Sequence, residues 1–303
     1  MPSLSGNVKD LYGNNVSRLV RVFHRQSGFL VGQAISNAST GAWSVTCNNT
    51  EKHYAIVFDG DPALIDPYWD QVIFASHLST PNYFVDVKQN TPIHCGYNAG
   101  RSSAQSKFSG YSAYFDGSQD MLVFYGSQFA MGSSQAFVVD FWLYLINGGH
   151  GESYSRILLP GYNSTNGSLI LSTVASNNPS GLLLQRYSGG YADLVSAGTA
   201  LSNTTWHHVA VGRKADGYWF IGVYGAPYGT PYNTSFDHTQ QVVYVGSNNS
   251  ATESFYGHME DMRWTVGTDR GMGGTYTVPT SAFVEGPTSG TENALVLDNL
   301  TPA

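Results

Sequence analysis

Charged side chains are scarce in this sequence. Asp, Glu, Lys and Arg make up 12% of its 303 residues, whereas they form about a quarter of an average protein. The net charge is −7 and no Lys/Arg cluster occurs, which argues against a surface that follows nucleic-acid phosphates. No run approaches the ~18 apolar residues of a membrane span, and the first residues lack the regions of a signal peptide. We therefore expect no nucleic-acid partner, no membrane insertion and no signal-directed secretion.

Metal-binding and redox motifs are missing as well. The only two cysteines, Cys47 and Cys95, fall in different predicted domains, so no disulfide is predicted. The sequence has no Cys-x-x-Cys, His-x-His or Asp-x-Asp-x-Asp-Gly pattern. His207 and His208 are adjacent on a predicted strand and point to opposite faces, so they cannot hold one ion together. We expect no metal centre and no cofactor from these patterns.

Glycine and tyrosine are abundant, with 34 and 20 residues respectively. Short alternating segments recur every 8–12 residues between Gly-rich turns, a pattern typical of sandwiches. Residues 206–213 (WHHVAVGR) are representative: Val209 and Val211 fall on one face and Trp206 and His208 on the other, and an Asp-Gly turn follows. The sequence therefore predicts an all-β chain. Trp206 is expected to be a core residue because its strand lies within the motif that carries the family resemblance described below.

The chain divides into three predicted regions. Residues 1–65 form a small β-sandwich, residues 66–290 form a large one, and residues 291–303 form a tail. The Pro- and Gly-containing junction at residues 59–67 predicts a fixed angle between the sandwiches. Within the tail, residues 293–299 could add an edge strand or dock on a partner, and residues 300–303 are expected to be loose.

Several motifs carry a resemblance to known families. The first region contains GNVKD, RLVRVFHRQSG and HYAIVFD, and it resembles the transthyretin-like, carboxypeptidase-regulatory sandwich, with Trp43 as a core residue. The second contains, in order, DPYWDQV, SAYFDGSQD, FVVDFWLY, WHHVA, GHMEDMRW and YTVPTSAF. These resemble the laminin-G-like, concanavalin-A-like jelly rolls found in bacteriophage virion proteins. Many laminin-G-like domains carry Ca²⁺, so the resemblance makes Asp116 and Asp120 possible calcium ligands.

The carboxyl groups in the sequence do not match those of a glycanase with the same fold. Such enzymes need two carboxyl groups ~5–9 Å apart, usually from alternate residues of one strand. Asp140 stands alone on its strand, with Val138 and Trp142 beside it. Glu260 and Asp261 point to opposite faces and are expected to brace loops or pair with Arg263 or Arg270. We therefore predict a protein that is not an enzyme.

Binding is the remaining chemistry. On the strand at residues 137–145, alternation sends Phe137, Val139, Phe141 and Leu143 to the core. Asp140, Trp142 and Tyr144 then face the other way and are the predicted ligand-binding residues, with the aromatic rings stacking on sugar. The alternative is that Trp142 packs under a loop. Residues 224–232 predict a Gly/Pro loop with exposed tyrosines for partner contact.

The predicted function is a non-enzymatic bacteriophage virion protein, of tail-fibre, tail-tip or capsid-decoration type, assembled in the host cytoplasm. Its expected partners are other virion proteins and a host surface glycan. Because single glycan sites bind weakly, we also expect a homo-oligomer. The first alternative is a free bacterial carbohydrate-binding lectin module, and the second is a glycoside hydrolase.

Overall fold

The computed structural model describes residues 2–9, 15–27, 29–47, 49–57, 66–79, 84–150, 154–174, 181–196, 198–285 and 295–300. It is nearly all β, which confirms the predicted fold class. The first eleven strands are β1 Ser3–Asn7, β2 Leu19–His24, β3 Leu30–Ile35, β4 Ala42–Thr46, β5 His53–Val57, β6 Val72–Ser76, β7 Val85–Asp86, β8 Thr91–Pro92, β9 His94–Gly96, β10 Gly100–Ser102 and β11 Ser112–Asp116. The others are β12 Met121–Tyr125, β13 Phe137–His150, β14 Tyr154–Pro160, β15 Ser168–Val174, β16 Gly181–Tyr187, β17 Tyr191–Val195, β18 Trp206–Arg213, β19 Trp219–Val223, β20 Ala226–Tyr228, β21 Val242–Val245, β22 Phe255–Val266 and β23 Leu295–Leu300. No helix in the described ranges is long and apolar enough to cross a membrane.

The chain forms two units, Met1–Pro67 with Val284–Ala303, and Tyr68–Phe283. The first unit contains a four-stranded sheet in the order β23-β5-β2-β3 and the pair β1–β4. Its core is built from alternate residues of these strands, such as Val20, Val22 and Val45, and it includes Trp43 as predicted. The outer strand β23 pairs antiparallel with β5, so residues 295–299 form an edge strand, one of the two options that the sequence left open, and they do so in the first unit. Leu300, which was expected to be loose, is the last residue of that strand. Most of the junction predicted to be stiff, namely residues 59–65 of residues 59–67, lies outside the described residues.

The second unit is a sandwich of two antiparallel sheets. One sheet has eight strands, in the order β10-β11-β22-β13-β18-β19-β20, with β6 also pairing with β22. The other has seven, in the order β17-β16-β15-β14-β21-β12-β9. Alternate residues of both sheets meet in one apolar core, as expected for strands with one buried face. Each sheet therefore has a second, outer face on which a site can be built.

The pairing of β23 with β5 leads to a prediction about fragments. Residues 68–283 expressed alone should give a β-type circular dichroism spectrum and a cooperative melt, because the sandwich core lies within this unit. Residues 66–303 should fold too but should associate more readily, since their last strand would lack β5 and leave an unpaired edge. Light scattering during the melt compares the two fragments. A cooperative melt for residues 66–303 but not for residues 68–283 would assign the C-terminal segment to the second unit instead.

Candidate functional site

The three predicted ligand-binding residues lie on β13, at the centre of the eight-stranded sheet. Phe137, Val139, Phe141 and Leu143 face the core, which confirms the predicted alternation. Asp140, Trp142 and Tyr144 face outward from the sandwich. Their exposed fractions are only 3%, 2% and 7%, however, so they do not form an open platform.

Asp140 is held in a buried ion pair. Arg263 donates from Nε to Oδ1 at 3.2 Å and from Nη2 to Oδ2 at 2.8 Å, and His208 Nε2 lies 3.6 Å from Oδ2. Burial alone would raise the pKa of Asp140, but the Arg263 guanidinium and the nearby His208 outweigh it and hold that pKa well below its usual range. Asp140 is therefore an ionised carboxylate already engaged by the protein.

A β-bulge brings Arg263 to Asp140. Asp140 pairs with Arg263 while Trp142 pairs with Glu260, so β22 has one more residue than β13 in this interval. Asp261, inside the bulge, has a φ of 61°, in the left-handed region that extra residues adopt. The bulge was not predictable from alternation, and it is the reason that Arg263 binds Asp140 instead of Glu260 or Asp261.

A loop covers Trp142. Phe108 makes an edge-to-face contact with the indole at 5.6 Å between ring centroids, and Lys107 Nζ lies 4.1 Å from the indole centroid. Glu260 fixes this loop by accepting from the backbone N–H groups of Lys107, Phe108 and Ser109 at 2.5, 3.1 and 3.0 Å. The alternative that Trp142 packs under a loop is thus the one that the structure shows, and the expected sugar platform is corrected to a buried network.

Tyr144 and Trp206, the other aromatic residues of this face, also pack differently from the prediction. Tyr144 packs against Trp206 and His258, at 5.4 and 5.7 Å between ring centroids. Trp206 is half-buried on this outer face, so the prediction that it is a core residue was wrong. Alternation along the strand already placed Trp206 on the face opposite to Val209 and Val211. The expectation of a core position came instead from the family resemblance of its motif.

Glu260 and Asp261 diverge as predicted, and both brace loops. Glu260 binds the loop over Trp142, as described above. Asp261 accepts from Phe283 N and pairs with His77 Nδ1, each at 2.6 Å, and the ring of Phe283 stacks on His77 at 4.1 Å. Both carboxylates therefore hold loops of the fold in place.

The possible calcium ligands stabilise a turn. Asp120 is fully buried and accepts from Asn98 N and Asp116 N, both at 2.8 Å. Asp116 accepts from Ser118 N at 2.8 Å. No group of three or more His, Cys, Asp or Glu side chains suited to a metal occurs within the described ranges. A cation at Asp116 and Asp120 stays a prediction.

Residues 224–232 are not simply a loop. Residues 226–228 form β20, which pairs with β19, and Tyr228 is buried, with its hydroxyl donating to Thr199 O. Tyr224 and Tyr232 are exposed as predicted. The segment is therefore an edge strand with two exposed tyrosines.

The open surface of this unit is on the other sheet. Outward residues of the seven-stranded sheet form a small apolar cluster that includes Val123, Leu159 and Ile170. Tyrosines lie on and beside it: Tyr125, Tyr162, Tyr187, Tyr191 and Tyr244. We call these five residues the tyrosine face. Tyr125 and Tyr162 are 68% and 40% exposed, so their rings are accessible to a ligand.

A shallow cleft of about 560 Å³ lies within the tyrosine face. Tyr125 and Tyr162 line it together with Thr239, Gln240 and Gln241. Tyr244 lies beside Tyr162, at 6.0 Å between ring centroids. Burial, followed by the nearby Tyr162 and Tyr125, raises the pKa of Tyr244 to about 12, so this tyrosine is neutral at any physiological pH.

Hydrogen bonds at the edge of the tyrosine face fix Tyr191. The hydroxyl of Tyr191 donates to Asn163 Oδ1 at 3.0 Å, and its ring contacts Tyr187 at 5.0 Å between centroids. Glu253 accepts from Asn163 Nδ2 at 3.0 Å and from Arg156 at 3.0 Å. These contacts fix the rings of Tyr187 and Tyr191 on this face.

Sequence reasoning missed this face. The signal was present in MLVFY at residues 121–125, where Met121, Val123 and Tyr125 share one face and Leu122 and Phe124 share the other. A tyrosine at the outward end of an otherwise apolar strand marks an exposed ring. The other tyrosines come from strands far apart in sequence, so their meeting was not predictable.

No family model matches this chain, and neither does any curated protein sequence. Solved structures with a similar fold include two mutants of HCR/D, with TM-scores of 0.52 and 0.50, identities of 15% and 13%, and coverage of 68% and 67% of this chain. The match spans 50% of each HCR/D chain. Domain 4 of AbnA, a GH43 extracellular arabinanase from Geobacillus stearothermophilus, in complex with arabinotriose, has a TM-score of 0.49 at 16% identity, covering 67% of this chain and 97% of that domain. At these identities the similarity to the two HCR/D mutants shows a shared fold and nothing further.

Proposed function

We propose that the second unit is a non-catalytic carbohydrate-binding module that takes sugar on the tyrosine face. The observation that carries this proposal is the pair of exposed rings, Tyr125 and Tyr162, lining one cleft with two glutamines and a threonine. Aromatic faces stack on the apolar side of a sugar ring, while amide and hydroxyl groups bond its hydroxyls. The cleft supplies both kinds of contact.

The chemistry of the cleft supports binding without hydrolysis. None of the described residues that line it carries a carboxyl or imidazole group, whereas glycoside cleavage requires a pair of carboxyl groups ~5–9 Å apart. On the opposite sheet, Asp140 is buried and bound to Arg263. The proposal therefore follows the lectin-type alternative from the sequence.

Whether this module belongs to a virus particle or to a free bacterial protein is a separate part of the proposal. The motif resemblance favours a bacteriophage virion protein, in which the first unit attaches to other virion proteins and several copies give avidity for a host glycan. A free bacterial lectin would use the same face. Immunogold labelling of purified particles separates the two settings, because only a virion component is found on particles.

Removing a ring from the tyrosine face tests the binding role. Tyr125→Ala should weaken glycan binding about tenfold, since one aromatic contact with its buried area is worth ~1 kcal/mol or more. The melting temperature should be nearly unchanged, because Tyr125 is mostly exposed. A glycan array followed by calorimetry on the best ligand measures both.

The matched control is Tyr218→Ala. Tyr218 is also an exposed tyrosine, but it lies at the hairpin between β18 and β19 of the other sheet. Its removal should leave binding unchanged. Equal losses in the two variants, or an unchanged affinity in Tyr125→Ala, would contradict the assignment of the site.

A further inference from the structure

A second cleft opens on the other side of Tyr125. Strand β9 pairs with β12 only from Met121 to Val123, so Phe124 and Tyr125 extend beyond it. The space left there is a cleft of about 230 Å³. Its lining includes Gln89, Thr91, Pro92, His94, Tyr125 and Gln128.

Tyr125 is shared by both clefts. On one side, it pairs with Val242 of β21, which lines the larger cleft with Tyr162. On the other, it borders the smaller cleft next to β8 and β9. The larger cleft lies within the ~300–1,000 Å³ typical of small-molecule sites, and the smaller lies below that range. The smaller cleft is therefore suited to one portion of a ligand that continues past Tyr125.

The lining groups also indicate the charge of the ligand. The larger cleft offers amide and hydroxyl groups from Thr239, Gln240 and Gln241. In the smaller, the buried Asp86 accepts from Ala75 N and Lys88 N through Oδ1, at 3.1 and 3.0 Å. No described residue lining either cleft is a lysine or arginine. A carboxylated sugar would find no lysine or arginine there to pair with its charge.

We infer that the two clefts form one tract for a linear, uncharged oligosaccharide, with one sugar ring on Tyr125 and its neighbours in the clefts on either side. This inference rests on the proposed function and adds the ligand class to it. A disaccharide occupies Tyr125 and the larger cleft, whereas a longer chain also extends into the smaller one. Affinity should therefore rise with chain length until the tract is full.

The experiment uses the full-length protein and a ladder of neutral oligosaccharides from disaccharide to hexasaccharide, in arabino, malto and cello series, with oligogalacturonides as charged counterparts. Calorimetry should show affinity rising by roughly tenfold or more along the best neutral series. His94→Ala and Gln89→Ala should each remove part of that gain for long chains and leave disaccharide binding unchanged. Both side chains are exposed, so the variants should fold.

The possible outcomes separate this inference from the proposed function. Wild-type protein that binds no member of any series would overturn both. Binding that is independent of chain length, with His94→Ala and Gln89→Ala silent at every length, would overturn the tract and leave the single-cleft site standing. Oligogalacturonides that bind as tightly as neutral chains would overturn the assignment of an uncharged ligand.

Discussion

Replacing Asp140 with alanine is expected to destabilise the second unit by ~3–5 kcal/mol, because the substitution leaves the Arg263 guanidinium buried without its main counter-charge. Both side chains are almost fully buried, and two hydrogen bonds join them. For a unit of this size the loss corresponds to a fall in melting temperature of roughly 6–20 °C. Denaturant unfolding followed by circular dichroism measures it.

The double variant Asp140→Leu with Arg263→Met is the control. It removes both charges together, so its cost should be clearly smaller than that of Asp140→Ala, since a buried pair replaced by apolar residues is often nearly neutral. If the double variant is as unstable as the single one, the loss comes from packing and not from the unpaired charge. An Asp140→Ala protein within about 1 kcal/mol of wild type would contradict the ion-pair account.

The same pair predicts a pH dependence. The folded-state pKa of Asp140 is depressed, so its contribution is present above the unfolded-state pKa of about 4 and is lost as pH falls through the folded-state value. The stability gap between wild type and Asp140→Asn should therefore be constant at neutral pH and shrink only in strong acid. Thermal melts of both proteins across the acid range test whether the gap shrinks as the pH falls.

The two outer faces of the sandwich differ in how far they are covered. On the eight-stranded sheet, the loop held by Glu260 covers Trp142, and Tyr276 reaches His208 Nδ1 at 3.0 Å. On the seven-stranded sheet, Tyr125 and Tyr162 stay open. The proposed sugar site therefore lies on the more open of the two faces, whereas the covered face carries the buried Asp140–Arg263 pair.

Alternation in the sequence predicted which residues of β13 and β18 share a face, because that depends only on neighbours along one strand. It could not predict whether the outward face is open. The segments that cover Trp142 and His208 come from residues near 107 and 276, far from β13 in sequence. The same limit applies to Tyr162 and Tyr244, which meet only through the pairing of β14 with β21.

Two tryptophans on neighbouring strands, Trp219 and Trp206, test the difference between a core position and a covered position on the outer face. Trp219 begins β19 and is 1% exposed. Its ring contacts Phe137 and Phe236 at 5.8 and 6.3 Å between centroids, and its Nε1 donates to Thr234 O at 2.9 Å. Trp219→Ala should therefore cost ~3–5 kcal/mol, through lost burial and the cavity left behind.

Trp206→Ala is the matched comparison, on β18 of the same sheet. Trp206 is half-buried, and its main ring contact is Tyr144 at the outer face, so the expected cost is no more than about 1–2 kcal/mol. Urea unfolding of both variants, with near-ultraviolet circular dichroism to report aromatic packing, compares the two losses directly. Equal losses would mean that Trp206 is as deeply packed as Trp219, and the outer face of the eight-stranded sheet would then be a second core instead of a covered surface.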